Sequence, residues 1–324
     1  MKYIVLGAGG CFGTNLADLL LKEGHEVVGV GRSPKKPPYF SLNVNYPYYA
    51  YHLTYEHEYV MKLLDKEKPD YVVCFAAQGE GAASFGDDNW RFYETNCVGL
   101  VRLVGQLKMR LPYYLKKFIN IGTSELYGSV TKPSFEDDKL VPTSPYSVSK
   151  ASFDLHLQAM FKTNGFPMNI IRPCNCYCPG QQLHRIIPKT MLFSLTGRKL
   201  PLHGGGTAKK SFLHATDLSR AILMVSEKGD MGEVYNVGSD QPTSIKEVVE
   251  RCVKITGRQF KDVVELSSER KGQDSCYWLN SDKIKSLGWK PEIGWDEGLE
   301  TMYQWVSSYL DDLSKQPTDF RMRA

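Results

Sequence analysis

A hydroxyl pair and a carboxylate, Thr123-Ser124-Glu125, precede a phenol and an ammonium one helical turn apart, Tyr146 and Lys150. These residue types suit proton transfer. A free tyrosine titrates near ~10 and becomes a base at neutral pH only when a fixed positive charge stabilises its phenolate. Residues four apart share a helix face, so Lys150 can supply that charge. A second Tyr-x-x-x-Lys pair, Tyr113 and Lys117, stands just before the strand that leads into Thr123 and is assigned to the surface.

The elements that must position these groups follow from the pattern around them. Phe118 to Ile121 is a short apolar run, read as a buried parallel strand that ends at Thr123. Ser144-Pro145-Tyr146 opens a helix that carries Phe153, Leu157, Met160 and Phe161 on one face. At the start of the chain, Lys2 to Leu6 forms a strand, and Gly7, Gly10 and Gly13 make a turn into a helix with Leu16, Leu19 and Leu20 on its buried side. Strand, glycine turn and helix in that order is what a dinucleotide site requires, because backbone approaches the pyrophosphate closely and the helix start offers free amides.

The second strand, Glu26 to Val30, runs into Gly31-Arg32-Ser33, with no acid where an NAD site commonly has one for the ribose hydroxyls. Arg32 and Ser33 are therefore expected to hold the extra phosphate of NADP, with NAD as the alternative. A third strand, Tyr71 to Phe75, ends in Ala76-Ala77-Gln78, where small residues leave room for a ligand. The Pro- and Tyr-rich stretch from Pro34 to Tyr49 gives no catalytic signal. Asn96 to Met109 is expected to be a helix with Leu100, Leu103, Val104 and Leu107 inward; with the helix after Lys150 it is expected to cover the sheet and pair two subunits as a homodimer.

Strands and helices alternate as far as Met168 to Arg172, which predicts an α/β fold built on a doubly wound parallel sheet. Residues 1–174 form the expected dinucleotide-binding domain, with later returns to the sheet near 211–217 and 233–238, and 175–324 form mainly a smaller substrate-binding lobe. The tail beyond Leu313 is expected to be mobile. With 324 residues, 42% hydrophobic, 23% charged and a net charge of +4, the composition is globular and offers no nucleic-acid surface. No apolar run reaches the ~18 residues of a membrane span, and the N-terminus enters a strand, so a cytoplasmic protein is expected. Eight cysteines without a framework fit reduced thiols. Cys174, Cys176 and Cys178 alternate, but no fourth ligand at zinc spacing accompanies them, and no metal site is assigned.

With these residues placed, the chain resembles the extended short-chain dehydrogenase/reductase family, and within it the nucleotide-sugar 4,6-dehydratases acting on GDP-mannose and dTDP-glucose. The likeness runs from Met1 to about Val306 through the Gly7/Gly10/Gly13 turn, Ala76-Ala77-Gln78 with Ser84, Thr123 to Gly128, Tyr146 with Lys150, Arg172 to Asn175, Leu200 to Leu202, and Arg270 to Pro291. It implies a tightly bound, recycled NADP or NAD held by Gly7, Gly10, Cys11, Phe12, Gly13, Arg32, Ser33, Leu53, Ala76, Ala77, Gln78, Tyr146, Lys150 and Pro173. It also implies a nucleoside-diphosphate sugar bound by Ser84, Thr123, Asn175, Lys210 and Arg270. Glutamate at position 125 marks the dehydratases, where related epimerases carry a small or hydroxyl residue.

In the implied reaction Tyr146 takes the proton of the fourth hydroxyl during oxidation, Thr123 holds that hydroxyl, Glu125 removes the proton on the fifth carbon and relays it to the departing water, and Ser124 orients the sugar. Lys210 stands where the family commonly has Arg, Glu80 where many relatives have His, and His52 precedes Leu53 where an Asp often contacts adenine. An epimerase or reductase on the same scaffold and a non-catalytic cofactor-sensing regulator remain the alternatives. The nucleotide base and the sugar are not read from the sequence.

Overall fold

A computed structural model describes residues 1–42, 44–110, 114–268 and 274–322. The chain begins with β1 (Lys2–Leu6), α1 (Cys11–Lys22), β2 (Glu26–Gly31), β3 (Tyr48–Ala50), α2 (His57–Glu67) and β4 (Tyr71–Cys74). Then come α3 (Trp90–Tyr93), a π turn (Glu94–Val98), α4 (Gly99–Arg110), β5 (Lys117–Ile121), α5 (Pro145–Asn164) and β6 (Met168–Pro173). The later part holds β7 (Asn175–Tyr177), α6 (Ile186–Thr196), β8 (Leu200–His203), β9 (Lys209–Lys210), β10 (Phe212–His214), α7 (Ala215–Lys228) and β11 (Val234–Val237). It continues with β12 (Thr243–Ser244), α8 (Ile245–Ile255), α9 (Phe260–Val263), β13 (Val264–Ser267), β14 (Cys276–Tyr277), α10 (Asp282–Ser286), α11 (Trp295–Ser308) and α12 (Leu310–Ser314). No helix among the described residues is long and apolar enough to cross a membrane.

Seven parallel strands in the order β11-β6-β5-β4-β1-β2-β3 form the central sheet, a doubly wound arrangement whose strand order reverses between β1 and β4. Alternate residues of each strand feed opposite layers. Ile4, Leu6, Val72 and Phe118 pack under α2, α4 and α5 through Val60, Leu103, Phe153 and Leu157. Tyr3, Val5, Val73 and Ile119 pack under α1 and α7 through Leu16, Leu20, Leu218 and Ile222. A third core, among α6, α8 and α11, holds Met191, Val249, Met302 and Trp305. Asp217 joins this part to the sheet layers, since its buried carboxylate accepts from the amides of Glu292 and Ile293, each at 3.0 Å.

Four expectations are corrected. Lys117 is buried at 5% exposure, not on the surface: its ammonium donates to the carbonyls of Val225 and Gly229, each at 2.9 Å, and caps the end of α7. Tyr113 lies outside the described residues. The strand Phe212–His214 pairs with β7 in a separate two-stranded sheet, so only β11 returns to the central one. Residues 314–320 dock rather than wave: Thr318 is buried, Asp319 meets Lys189 at 3.1 Å, and the Phe320 ring packs edge-on against His184. The helix expected from Asn96 starts earlier, at Trp90, and passes through the π turn, where the Asn96 side chain bonds both the amide and the carbonyl of Gln78 and also Ser149.

Candidate active site

The glycine turn is as tight as a dinucleotide cradle needs to be. Gly7 has φ +87°, and a Cβ there would stand 2.8 Å from the Ala76 nitrogen. At Gly13 a Cβ would fall 2.6 Å from the Gly7 carbonyl oxygen. Gly10 caps α1 without any side-chain hydrogen bond, so the first amides of the helix are left for an anion. Two residues from the stretch read as silent hold this turn: Tyr46 donates to the Ala8 carbonyl at 3.2 Å and Tyr48 to that of Ser33 at 2.7 Å. Gly29 and Gly31 on β2 are the signal for those rings, because each leaves the space a tyrosine fills.

One cavity of about 680 Å³ extends from this cradle to Asp319. Its wall includes Gly7, Gly10, Cys11, Phe12, Gly13, Arg32, Ser33, Leu53, Ala76, Ala77 and Pro173 from the expected cofactor set. Thr123, Glu125, Tyr146, Lys150, Asn175 and Lys210 line it from the expected catalytic and substrate sets. Three expected residues stand behind the wall. Gln78 is buried against Asn96, and Ser84 is fully buried, donating to the Gly81 carbonyl at 2.6 Å while accepting from the Tyr146 amide at 3.1 Å. Ser124 is 2% exposed, because residues of a 3₁₀ turn (Ser124–Tyr127) point a third of a circle apart and Glu125 takes the cavity side. Ser84 therefore positions the start of α5, and Ser124 is packing. Arg270 lies outside the described residues.

Helix α5 is fixed where chemistry needs it. Ser144 and Ser147 form a capping box, Pro145 occupies the first turn, and Gly165 ends the helix in the left-handed region. Tyr146 follows immediately, and its phenol lines the cavity beside Thr123. Burial, then the charge of Glu125, pushes the Tyr146 pKa well up, with Arg185 and Thr123 opposing. The phenol is protonated at neutral pH in this arrangement. Lys150 does not bond to it directly: the buried ammonium donates to the Ile121 carbonyl at 2.6 Å, at the end of β5. Tyr146 and Lys150 lie one turn apart on α5 and both line the cavity, with the Lys150 ammonium tied to the end of β5.

Glu125 is enclosed by protein yet open to the cavity, with one oxygen packed where a Cβ on Gly81 would stand 2.9 Å away. Burial pushes its pKa up, Lys210 and Arg185 pull it down, and Glu80 and Asp274 push it up again. Lys210 stands on β9 with its ammonium 3.7 Å from the centre of the Tyr277 ring, and burial lowers its pKa against the pull of Glu125. Reading the sequence missed most of this surround. Glu80 meets Arg185 at 3.3 Å and His184 at 3.4 Å; Asp274 accepts from Ser129, Thr143 and Tyr277. Only the unusual acid at position 80 gave a signal.

A dinucleotide fits the cradle on these grounds: glycines at the closest approaches, uncapped amides at α1 and a wall that continues to Tyr146. Fold and site together define an enzyme that works on a small substrate beside a nicotinamide cofactor. Residues 3–238 match the NAD dependent epimerase/dehydratase family, and the chain belongs to it. Its members include nucleotide-sugar dehydratases and epimerases. The chain is 31% identical over 249 residues to a trifunctional UDP-glucose 4,6-dehydratase/UDP-4-keto-6-deoxy-D-glucose 3,5-epimerase/UDP-4-keto-L-rhamnose-reductase of Arabidopsis thaliana, a match covering 76% of this chain and 37% of that longer one. Among solved structures it is similar to dTDP-glucose 4,6-dehydratase of Bacillus anthracis str. Ames in complex with NAD, with TM-score 0.85, 30% identity and coverage of 96% and 98% of the two chains. It is also similar to UDP-glucose 4-epimerase of Thermotoga maritima with UDP-glucose, with TM-score 0.87, 27% identity and coverage of 96% and 100%.

Proposed function

We propose that the chain is a nucleoside-diphosphate-hexose 4,6-dehydratase that forms a 4-keto-6-deoxy sugar and keeps its dinucleotide between turnovers. The observation that carries this reading is Glu125, an enclosed carboxylate facing the cavity beside Thr123 and Tyr146. Epimerases and reductases on this scaffold need the phenol and a hydride but no second base. A cofactor-sensing regulator would need neither.

A bound nicotinamide would supply the hydride acceptor for the first oxidation, the donor for the closing reduction and, when oxidised, a positive charge in the cavity. The chain does the rest. Thr123 holds the fourth hydroxyl of the sugar, and the Tyr146 oxygen takes its proton. The ketone formed there acidifies the hydrogen on the fifth carbon, which Glu125 removes. Burial favours the protonated carboxyl, so Glu125 holds that proton until the hydroxyl of the sixth carbon departs with it as water. Lys210 pulls the Glu125 pKa down against the effect of burial, and Asn175 and Arg270 are assigned to the diphosphate. Incubating the purified protein with dTDP-, GDP-, UDP- and CDP-hexoses, without added cofactor, tests the reading by mass spectrometry. Loss of one water from a member supports it; a changed hydroxyl configuration without water loss would replace it with the epimerase.

We assign the cofactor as NADP. At the end of β2 the wall carries Arg32, Ser33, Pro34 and Lys36, two cations and no carboxylate among the four. Arg32→Asp is expected to weaken NADP binding relative to NAD by about tenfold or more, as measured by equilibrium dialysis; an unchanged ratio would refute the assignment. We also infer a homodimer through α3, the π turn, α4 and α5. Trp90, Val98, Met109 and Leu155 there are 51%, 60%, 77% and 54% exposed. Light scattering should give twice the 36.7 kDa chain mass, and a monomer mass would rule the dimer out.

A further inference from the structure

Two thiols that the sugar chemistry does not use lie against each other beside the glycine turn. Cys11 is the first residue of α1, so its amide is among the uncapped donors, and its side chain is 5% exposed on the cavity wall. Cys178, just after β7, is fully buried and packs with Cys11 and Ala215 in a small cluster of its own. We propose that Cys11 and Cys178 form a reversible oxidation site, in which a peroxide entering the open cavity joins them as a disulfide and disables the dinucleotide cradle. This goes beyond the dehydratase reading and holds whichever sugar reaction the enzyme performs.

The two thiols are unequal in the sense the chemistry requires. Cys11 reaches the cavity while Cys178 does not, and the adjacent Cys178 thiol pulls the Cys11 pKa below the ordinary range, with Lys36, the Phe12 amide and Arg185 acting in the same direction, against burial. Burial pushes Cys178 well up. Cys11 is therefore the nucleophile and Cys178 the resolving thiol. The Cys11 thiolate attacks one oxygen of hydrogen peroxide, the O–O bond breaks, and hydroxide leaves behind a sulfenic acid. The sulfur of Cys178 then attacks that of Cys11; the S–O bond breaks, and the oxygen leaves as water with the Cys178 proton. Two thiols and one peroxide give one disulfide and two waters, with two electrons passing to the peroxide. A small thiol such as glutathione reverses the step by exchange.

Other cysteines are poorer candidates for this step. Cys74 and Cys252 are buried with raised pKa values, and the Cys176 thiol is turned to the Cys174 carbonyl at 3.5 Å. The effect on the cradle follows from its lack of slack. An S–S bond is only ~2.05 Å long, much shorter than a non-bonded sulfur contact, so closing it draws the start of α1 towards β7. At Gly13 the helix already lies as close to the Gly7 carbonyl as a glycine permits. A bound dinucleotide would cover Cys11, so cofactor and oxidant compete for one place.

The test is a non-reducing peptide map of the cofactor-stripped full chain after hydrogen peroxide and alkylation. Expected are a cross-linked pair containing Cys11 and Cys178, formation slowed about tenfold by saturating NADP, and binding of NADP weakened about tenfold until dithiothreitol restores it. In Cys178→Ala and Cys178→Ser, Cys11 should instead be trapped as a sulfenic acid by dimedone. Wild-type Cys11 left unmodified, or driven to sulfinic acid without pairing, would overturn the site. A disulfide that leaves dinucleotide binding unchanged would overturn its effect on the cradle.

Discussion

Glu125→Gln is expected to stop water loss from the nucleotide sugar while leaving reduction of the cofactor by that sugar detectable. The amide has nearly the shape of the carboxylate, so the cavity keeps its form, but it cannot accept the proton on the fifth carbon. Loss of a general base costs about 10²–10⁴-fold, and the elimination rate should fall by at least the lower figure. The oxidation half should survive, because Glu125 is one of the groups holding the Tyr146 pKa up and its neutralisation relieves that. Stopped-flow absorbance of the reduced nicotinamide separates the two halves. Unchanged product formation would remove Glu125 from the mechanism.

The same residue sets a pH dependence whose sign can be worked out. Burial raises the Glu125 pKa above the usual carboxylate value of ~4.3, so the base is lost on acidification sooner than an exposed glutamate would be. Lys210 opposes this shift, and Lys210→Met should move the acid limb of the elimination rate further up. For stability the folded pKa lies above the unfolded one. The contribution of the group is fully present below the unfolded pKa and lost as pH rises through the folded pKa. At neutral pH the carboxylate therefore costs stability, and Glu125→Gln should melt above the parent enzyme. An inactive variant that melts lower would point to misfolding instead.

Arg172→Ala is expected to destabilise the chain by about 3–5 kcal/mol, the cost of leaving a buried partner without its counter-charge. Arg172 is 1% exposed and donates to Asp154 at 3.1 Å and to the Tyr127 hydroxyl at 2.8 Å; Asn120 donates to the same carboxylate at 2.8 Å. The network joins β5, α5, β6 and the turn that carries Glu125. A Cβ on Gly122 would stand 3.2 Å from both Arg172 and Asp154, so the ion pair is the floor beneath Thr123. Arg172→Lys should recover little, since an ammonium cannot reach both partners with the geometry of a guanidinium. Urea unfolding gives the measurement, and a loss below about 1 kcal/mol, the scale of an exposed pair, would mean that the network is dispensable.

Legibility divides along the range of the interactions. The glycine turn, the alternation of strands and helices and the Ser144 cap are local, so a short window of sequence contains all that is needed to read them. Glu125 could be placed because strand periodicity locates a strand end. Which way Ser124 turns there depends on a 3₁₀ turn that no periodicity announces. Lys117 reads as surface because its type is charged; only the position of the α7 carbonyls, more than a hundred residues later, supplies its partners. Glu80, Arg185 and Asp274 come together through the tertiary fold alone. Edge strand β3 is short and lies among prolines, which hides it from any pattern of alternation.

The interleaving of the chain also limits how specificity could be exchanged between relatives. The elements assigned above to the substrate begin at β7, yet α7 and β11 lie beyond β7 in the chain and complete one layer and one edge of the central sheet. A single crossover after Pro173 would give a chimera whose final sheet strand came from the other parent, meeting β6 along a foreign register. Grafts that respect the fold must be paired, one junction on each side of the segment from β7 to β10 and another beyond β11. Recombination in this architecture is therefore expected to favour cassettes over simple fusions.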